Sequence, residues 1–244
     1  MTTLRVDRPY RGQVLRLTLN APPGNRLDEQ MVDELLTALE PAAAETALKL
    51  IAFQAEGPDF SVSARLLTAA ALERFHQVFY RLIDLGVPTA AVVRGRCLSA
   101  GLELAAFCNF IFAGPAATFG QPEIRRGGFP RPASLILPLK LGQGGATDLV
   151  LGGATLDVTE AYRRGLVTAW AQSHHDLDDL SKAWIESHLL PKSARSLRRA
   201  NRLARLGFHT RLRAELPALE AVYVRDLIAP THVPAPAAAA RITA

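Results

Sequence analysis

Two glutamates stand in segments suited to holding an acid and a base beside a carbonyl. Glu103 follows Gly101 by two positions in RCLSAGLELAAFC, where the small residues Ser99, Ala100 and Gly101 mark a passage from strand to helix. The first N–H groups of a helix have no partner within it, and the helix dipole adds a favourable field there. Such a junction can hold an oxygen that gains negative charge, as a thioester carbonyl does when it becomes enolate-like. Glu123 stands in TFGQPEIRRGGFP, directly after an apolar strand and a proline, with Gly127, Gly128 and Pro130 predicting a loop. Adding water across an activated double bond needs one carboxylate to take a proton from water and one carboxyl to protonate the α-carbon. Two carboxylates facing one substrate push each other's pKa values apart, which lets one site hold both forms near neutrality. Each glutamate also has an ordinary reading, since first-turn acids simply favour the helix dipole and loop acids are commonly solvated.

The elements that must position these residues alternate along the chain. Residues 4–7 and 13–19 alternate apolar and polar side chains around a turn at Pro9 to Gly12, which predicts a hairpin. Met31, Leu35, Leu36 and Leu39 recur at helical spacing after Asp28, a good N-cap. Residues 48–55 and 89–95 are short apolar runs of buried-strand type, with a helix predicted over 69–85 between them and the strand FIFAG further on. This alternation predicts an α/β fold. After Gly142 the pattern turns helical over 143–152, 157–164, 177–189 and 193–228, with breaks near Gly207 and Pro217. We expect a core domain over residues 1–175, a C-terminal helical oligomerisation region over 176–230 and an irregular Pro- and Ala-rich tail over 231–244.

Composition narrows the classes. The chain has 244 residues, 49% hydrophobic and 21% charged, the balance of a soluble globular protein. No apolar run reaches a membrane span, and the first residues lack the apolar core of a secretory signal, so a cytoplasmic location is expected. Cys97 and Cys108 lack metal-site spacing and read as reduced, buried thiols; His174 and His175 lack a third ligand, so no metal is expected. GQGGAT over 142–147 does not follow a strand in a βαβ unit and does not read as a nucleotide site. The net charge of +5 includes a run of arginines, Arg195, Arg198, Arg199, Arg202, Arg205, Arg211 and Arg213. Aromatics are not interleaved with them as a base-stacking surface requires, so no nucleic-acid partner is expected. A solvated helix face, or long-range steering of an anionic substrate, accounts for the run.

With these segments on the page, the sequence resembles the crotonase, or enoyl-CoA hydratase/isomerase, superfamily. The matching stretches are LRLTLNAPPGNRLDEQMVDELLTAL, FSVSARLL, AAVVRGRCLSAGLELA, TFGQPEI and EAYRRGLV, spanning roughly residues 4–170. The resemblance implies a spiral of ββα units followed by a C-terminal helical region, a homotrimer or hexamer, and no cofactor beyond the CoA of the substrate. It implies an oxyanion hole from the backbone N–H groups of Ala64 and Ala100, and places Glu103 and Glu123 as the catalytic pair. It also places Ser63, Arg65, Gly101 and Phe129 at the substrate. The later stretches, EIRRGGFPRPASLILPLKLG, HLLPKSARSLRRA and ELPALEAVYVRDLIAPTH, are similar to cyclohexa-1,5-diene-1-carbonyl-CoA hydratases, which add water to a cyclic dienoyl thioester. PRPAS stands where ordinary short-chain hydratases carry Gly-Ala-Gly-Gly.

Three departures leave other readings open. Ser63-Ala64-Arg65 replaces the usual Gly-Ala-Asp, the segment after Arg65 is short, and THVPAPAAAARITA lacks the family's closing pattern over the acyl pocket and CoA. A thioester borne on a carrier protein is therefore an alternative to CoA, and a non-catalytic family member is another. CLSAG is one residue short of the GxSxG nucleophile elbow, so a Ser99 hydrolase is a third, which needs a histidine brought near from downstream.

Overall fold

The computed structural model describes residues 1–66 and 68–228. Strands β1 (Leu4–Asp7) and β2 (Val14–Leu19) form the expected antiparallel hairpin. Four strand–strand–helix turns follow: β2, β3 (Leu27–Asp28) and α1 (Glu29–Leu39); β4 (Leu50–Ala55), β5 (Ala64–Arg65) and α2 (Ala69–Leu85); β6 (Thr89–Val93), β7 (Arg96–Leu98) and α3 (Ala100–Phe107); β8 (Phe110–Ala113), β9 (Thr118–Gly120) and α4 (Pro132–Val150). Then come β10 (Thr155–Asp157), α5 (Val158–Arg163), β11 (Ala169–Trp170), α6 (His174–His188), α7 (Ala194–Ala204) and α8 (Leu206–Tyr223). The first strand of each turn joins a six-stranded sheet in the order β1-β2-β4-β6-β8-β11, parallel except for β1. Second strands form the sheet β10-β9-β7 and the pair β3-β5.

The large sheet is buried on both faces, which is why its strands read as continuous apolar runs. Ile51, Phe53, Ala91 and Val93 face the main core with α1 to α4, whereas Leu50, Ala52, Ala90 and Val92 face α6 through Leu177 and Ile185. Leu212 and Leu216 place α8 in the main core as well. Among the described residues no helix is long and apolar enough to cross a membrane.

Two expectations change in detail. Residues 132–141, which the sequence pattern leaves unassigned before the helical stretch after Gly142, are helical: Pro132 occupies the first turn, where its missing N–H costs nothing, and Leu135, Ile136 and Leu137 are buried. The chain is redirected at Gly142, whose φ is 69°. The break expected near Gly207 falls at Arg205, and Pro217 sits inside α8.

The arginine run is only partly a solvated face. Arg202 donates to the Asp84 and Leu85 carbonyls at the end of α2, Arg205 to the Phe107 carbonyl ending α3 at 2.6 Å, and Arg198 to Glu45 and Leu48 carbonyls. The Asp84, Leu85 and Phe107 carbonyls stand at helix ends, where the last carbonyls lack partners within the helix and a cation also meets the negative pole of the dipole. Cys97 and Cys108 are buried and free, and burial pushes both thiols up, Cys108 to about 12. The tail expected to be irregular lies outside the described residues.

Candidate active site

Two stretches far apart in sequence are tied side by side to make the site. Phe60 and Ser61 donate through their N–H groups to the Arg96 carbonyl at 3.0 and 3.2 Å, and Leu98 donates to the Ser61 carbonyl at 2.8 Å. Asp59 clamps Arg96 through both carboxylate oxygens, at 2.9 and 2.7 Å, and Arg96 holds that carboxyl below its ordinary range. Glycine makes the approach possible. A Cβ on Gly95 would stand 2.2 Å from the Pro58 carbonyl oxygen, and one on Gly101 2.6 Å from the Ser61 carbonyl oxygen.

This tie sets the two candidate oxyanion donors. In the β3–β5 pair Leu27 lies opposite Ala64 and donates to the Ser63 carbonyl at 3.0 Å. Leu27 is thus the bonded residue of the parallel ladder, and the Ala64 N–H points away from β3. On the other stretch, Ser99 turns β7 into α3 in a single residue at φ 58°, ψ −132°. A residue with a Cβ is strained there, and the turn is held by Ser99 N–H on the Gly120 carbonyl and by Gln121 Nε2 on the Ser99 carbonyl. Ala100 then opens α3, where its N–H has no acceptor within the helix.

Glu103 is 4% exposed, in a helix whose eight residues are all buried. Its Oε1 accepts the Ala133 N–H at 3.2 Å from the first turn of α4, so the carboxyl lies against that N-terminus as well as its own. Burial raises it to about 7, with Arg131 opposing the rise and Glu123 adding to it. Glu123 sits in a tight 3₁₀ turn, Pro122–Arg126, closed by Gly127 at φ 77° and by the Gly128 N–H on the Glu123 carbonyl at 3.0 Å. Its Oε2 is buried without a partner. Burial raises this carboxyl too, and the Ser99 side chain opposes most, followed by the turn's own backbone, Arg131 and Arg126.

Both glutamates, Ala64, Ala100, Ser63, Ser99 and Phe129 border one cavity of about 300 Å³. Two residues not anticipated from sequence complete it. Arg131, in the PRPAS segment, stacks over the Tyr223 ring at 3.7 Å, and Phe129 meets that ring edge-on at 5.2 Å. Arg65 and Gly101 lie off this lining: Arg65 is exposed beside Asp28, Glu29 and Gln30, and Gly101 faces Ser61. A larger cavity of about 560 Å³ between the sheet and α6 is lined by charged groups such as Arg16, Arg94, Asp178 and Lys182 and shares no lining residue with the glutamate cavity. No histidine of the described residues borders the glutamate cavity. His76 pairs with Glu220 at 2.6 Å, His209 stacks on Phe107 and His188 on Trp184. A Ser99–His pair is therefore not assembled among those residues.

Comparison with known proteins identifies the family and the fold. The chain matches the family model described as enoyl-CoA hydratase/isomerase over residues 10–224. It is 38% identical over 224 residues to a cyclohexa-1,5-dienecarbonyl-CoA hydratase of Thauera aromatica, covering 89% of this chain and 86% of that one. It is 34% identical over 177 residues to a 2,3-dehydroadipyl-CoA hydratase of Escherichia coli, covering 69% of each. The crystal structure of an enoyl-CoA hydratase/isomerase from Pseudoalteromonas atlantica superimposes with a TM-score of 0.81 at 26% identity, covering 91% of this chain and 90% of that one. By sequence and by fold, the chain belongs to the enoyl-CoA hydratase/isomerase family.

Proposed function

We propose that the protein adds water to, or removes it from, an α,β-unsaturated acyl-CoA, using Glu103 and Glu123 as the acid–base pair and the Ala64 and Ala100 N–H groups as the oxyanion hole. The observation that carries this reading is that all four residues border one cavity. In the hydration direction, water oxygen bonds to the β-carbon while the double-bond electron pair moves toward the thioester carbonyl. The two N–H groups stabilise the resulting oxyanion. One carboxylate takes the water proton, and the other carboxyl gives a proton to the α-carbon, so the pair ends with the proton count it began with. The family resemblance assigns the α-carbon proton to Glu123. This sequence of steps uses no metal or redox cofactor.

The acyl group is proposed to be a cyclic dienoyl, supported by the Thauera relative and by the ring walls of Phe129 and Tyr223. Assembly as a trimer or hexamer belongs to the proposal, supported by the exposed Leu203 and Leu206 at the α7–α8 turn. Light scattering of the purified protein tests it. The activity test follows hydration of crotonyl-CoA and cyclohexadienoyl-CoA with Glu103→Gln and Glu123→Gln beside the native protein. Turnover unaffected by both substitutions would sink the mechanism. Turnover on a carrier-protein thioester alone would move the handle and keep the chemistry.

A further inference from the structure

Arg131 stands at the entrance to α4, 9% exposed, on the same cavity as the two glutamates. Tyr223 from α8 seats its guanidinium at 3.7 Å, and its Nε is buried without an acceptor. Among the described residues no carboxylate oxygen pairs directly with it, since every ion pair within 4 Å involves other cations. A desolvated guanidinium without a direct partner costs stability rather than adding to it. Its worth must lie in what its charge does to the cavity.

The groups facing the cavity are few. Glu103 comes from α3, Glu123 and Arg126 from the 3₁₀ turn, Arg131 from the start of α4 and the Tyr223 phenol from α8. Arg126 is on the exposed part of its turn, so Arg131 is the one buried cation lining this cavity among the described residues. One buried positive charge balances one buried carboxylate and no more. With both glutamates ionised the cluster carries an excess negative charge in a low-dielectric setting; with one protonated it is neutral.

We propose that Arg131 is a positioning residue that holds the resting glutamate pair at one shared proton, so that a base and an acid are both present before substrate arrives. This rests on the reading of Glu103 and Glu123 as the acid–base pair, but it concerns the protein without substrate. Burial raises both carboxyls and Arg131 opposes both rises. Removing its charge moves the pair's first ionisation upward, leaving both carboxyls protonated near neutrality and the site without a base.

The test is an infrared titration of the unliganded protein, with the protonated-carboxyl band assigned to the pair by its change in Glu103→Gln. In Arg131→Met that titration should shift up by about one pH unit or more, and Arg131→Lys should restore most of it. The low-pH limb of kcat/KM should move with it, because that profile reports the free enzyme. Arg131→Gln, which keeps hydrogen-bonding groups without the charge, gives the same reading should the methionine variant fail to fold. A native-like titration in a folded Arg131→Met or Arg131→Gln protein overturns the proposal, whatever happens to activity. A shifted titration in a protein inactive on every thioester upholds it and removes the substrate assignment instead.

Discussion

The wall that carries Glu103 and the wall that carries Ala64 and Glu123 are held in different ways. Every residue of α3 is buried, Gly101 seats it against Ser61, and Arg205 and Lys140 take the carbonyls at its far end. Opposite it, Ala64 and Arg65 are exposed, as are Ile124 to Gly127, and none of the residues of the 3₁₀ turn is fully buried. The core thus fixes one carboxyl and one donor to within the tolerance of packing, while the rim leaves their counterparts on short turns. The proposed mechanism assigns chemistry that tolerates little displacement to the first wall, and choice of substrate to the second.

Substitutions should separate the walls. Glu103→Gln is expected to lower kcat by about 10²–10⁴-fold, the usual contribution of a positioned acid or base, in a steady-state assay on whichever thioester is turned over. Gly101→Ala forces α3 away from Ser61, and a displacement of about 1 Å should cost about 10²-fold in kcat with both glutamates still present. The rigid wall also has a pH signature. Below about pH 4.5 the Glu103 carboxyl is protonated in folded and unfolded chains alike; as pH rises from there to about 7, only the unfolded chain ionises. The native protein therefore loses stability across that window, by about 3 kcal/mol in all, and the loss is complete above it. Glu103→Gln escapes the loss, so its stability relative to the native protein should climb from pH 4.5 to about 7 in denaturant titrations and stay level beyond.

Smaller effects belong to the turn and the rim. Ser99→Gly relieves the positive φ but adds freedom to the unfolded chain, so the two effects should nearly cancel, within about 1 kcal/mol in thermal melts. Arg65→Ala should leave stability within about 0.5 kcal/mol. A change in KM for the CoA ester with kcat intact would place Arg65 on the CoA path; no change in either would remove it from the substrate-binding set.

The sequence showed the alternation of strands and helices plainly, because two-faced burial makes the sheet strands short apolar runs that helices separate. It showed the glutamate segments for the same reason: small residues and a proline beside a carboxylate are local signals. The helix over 132–141 was obscured by Pro130, Pro132, Pro138 and the glycines before them, local breakers that burial of Leu135, Ile136 and Leu137 overrides. Arg131 was visible only as one of many arginines, since its meaning comes from a ring 92 residues away in sequence (223 − 131). Ser99's backbone angle and the approach of Gly95 to Pro58 are likewise tertiary facts. Nothing in the local pattern distinguishes Arg202 and Arg205 from arginines that point at water.

Those arginines couple parts of the chain that sequence would keep separate. Arg202 and Arg205 end α2 and α3 from outside, and Leu212 and Leu216 root α8 in the core. If α7 and α8 lifted away, α3 would lose a cap and the cavity would lose its Tyr223 wall in one event. Native-state hydrogen exchange should then find the amides of α3 opening together with those of α7 and α8, so that the last helices set how long the glutamate cavity stays closed to bulk solvent.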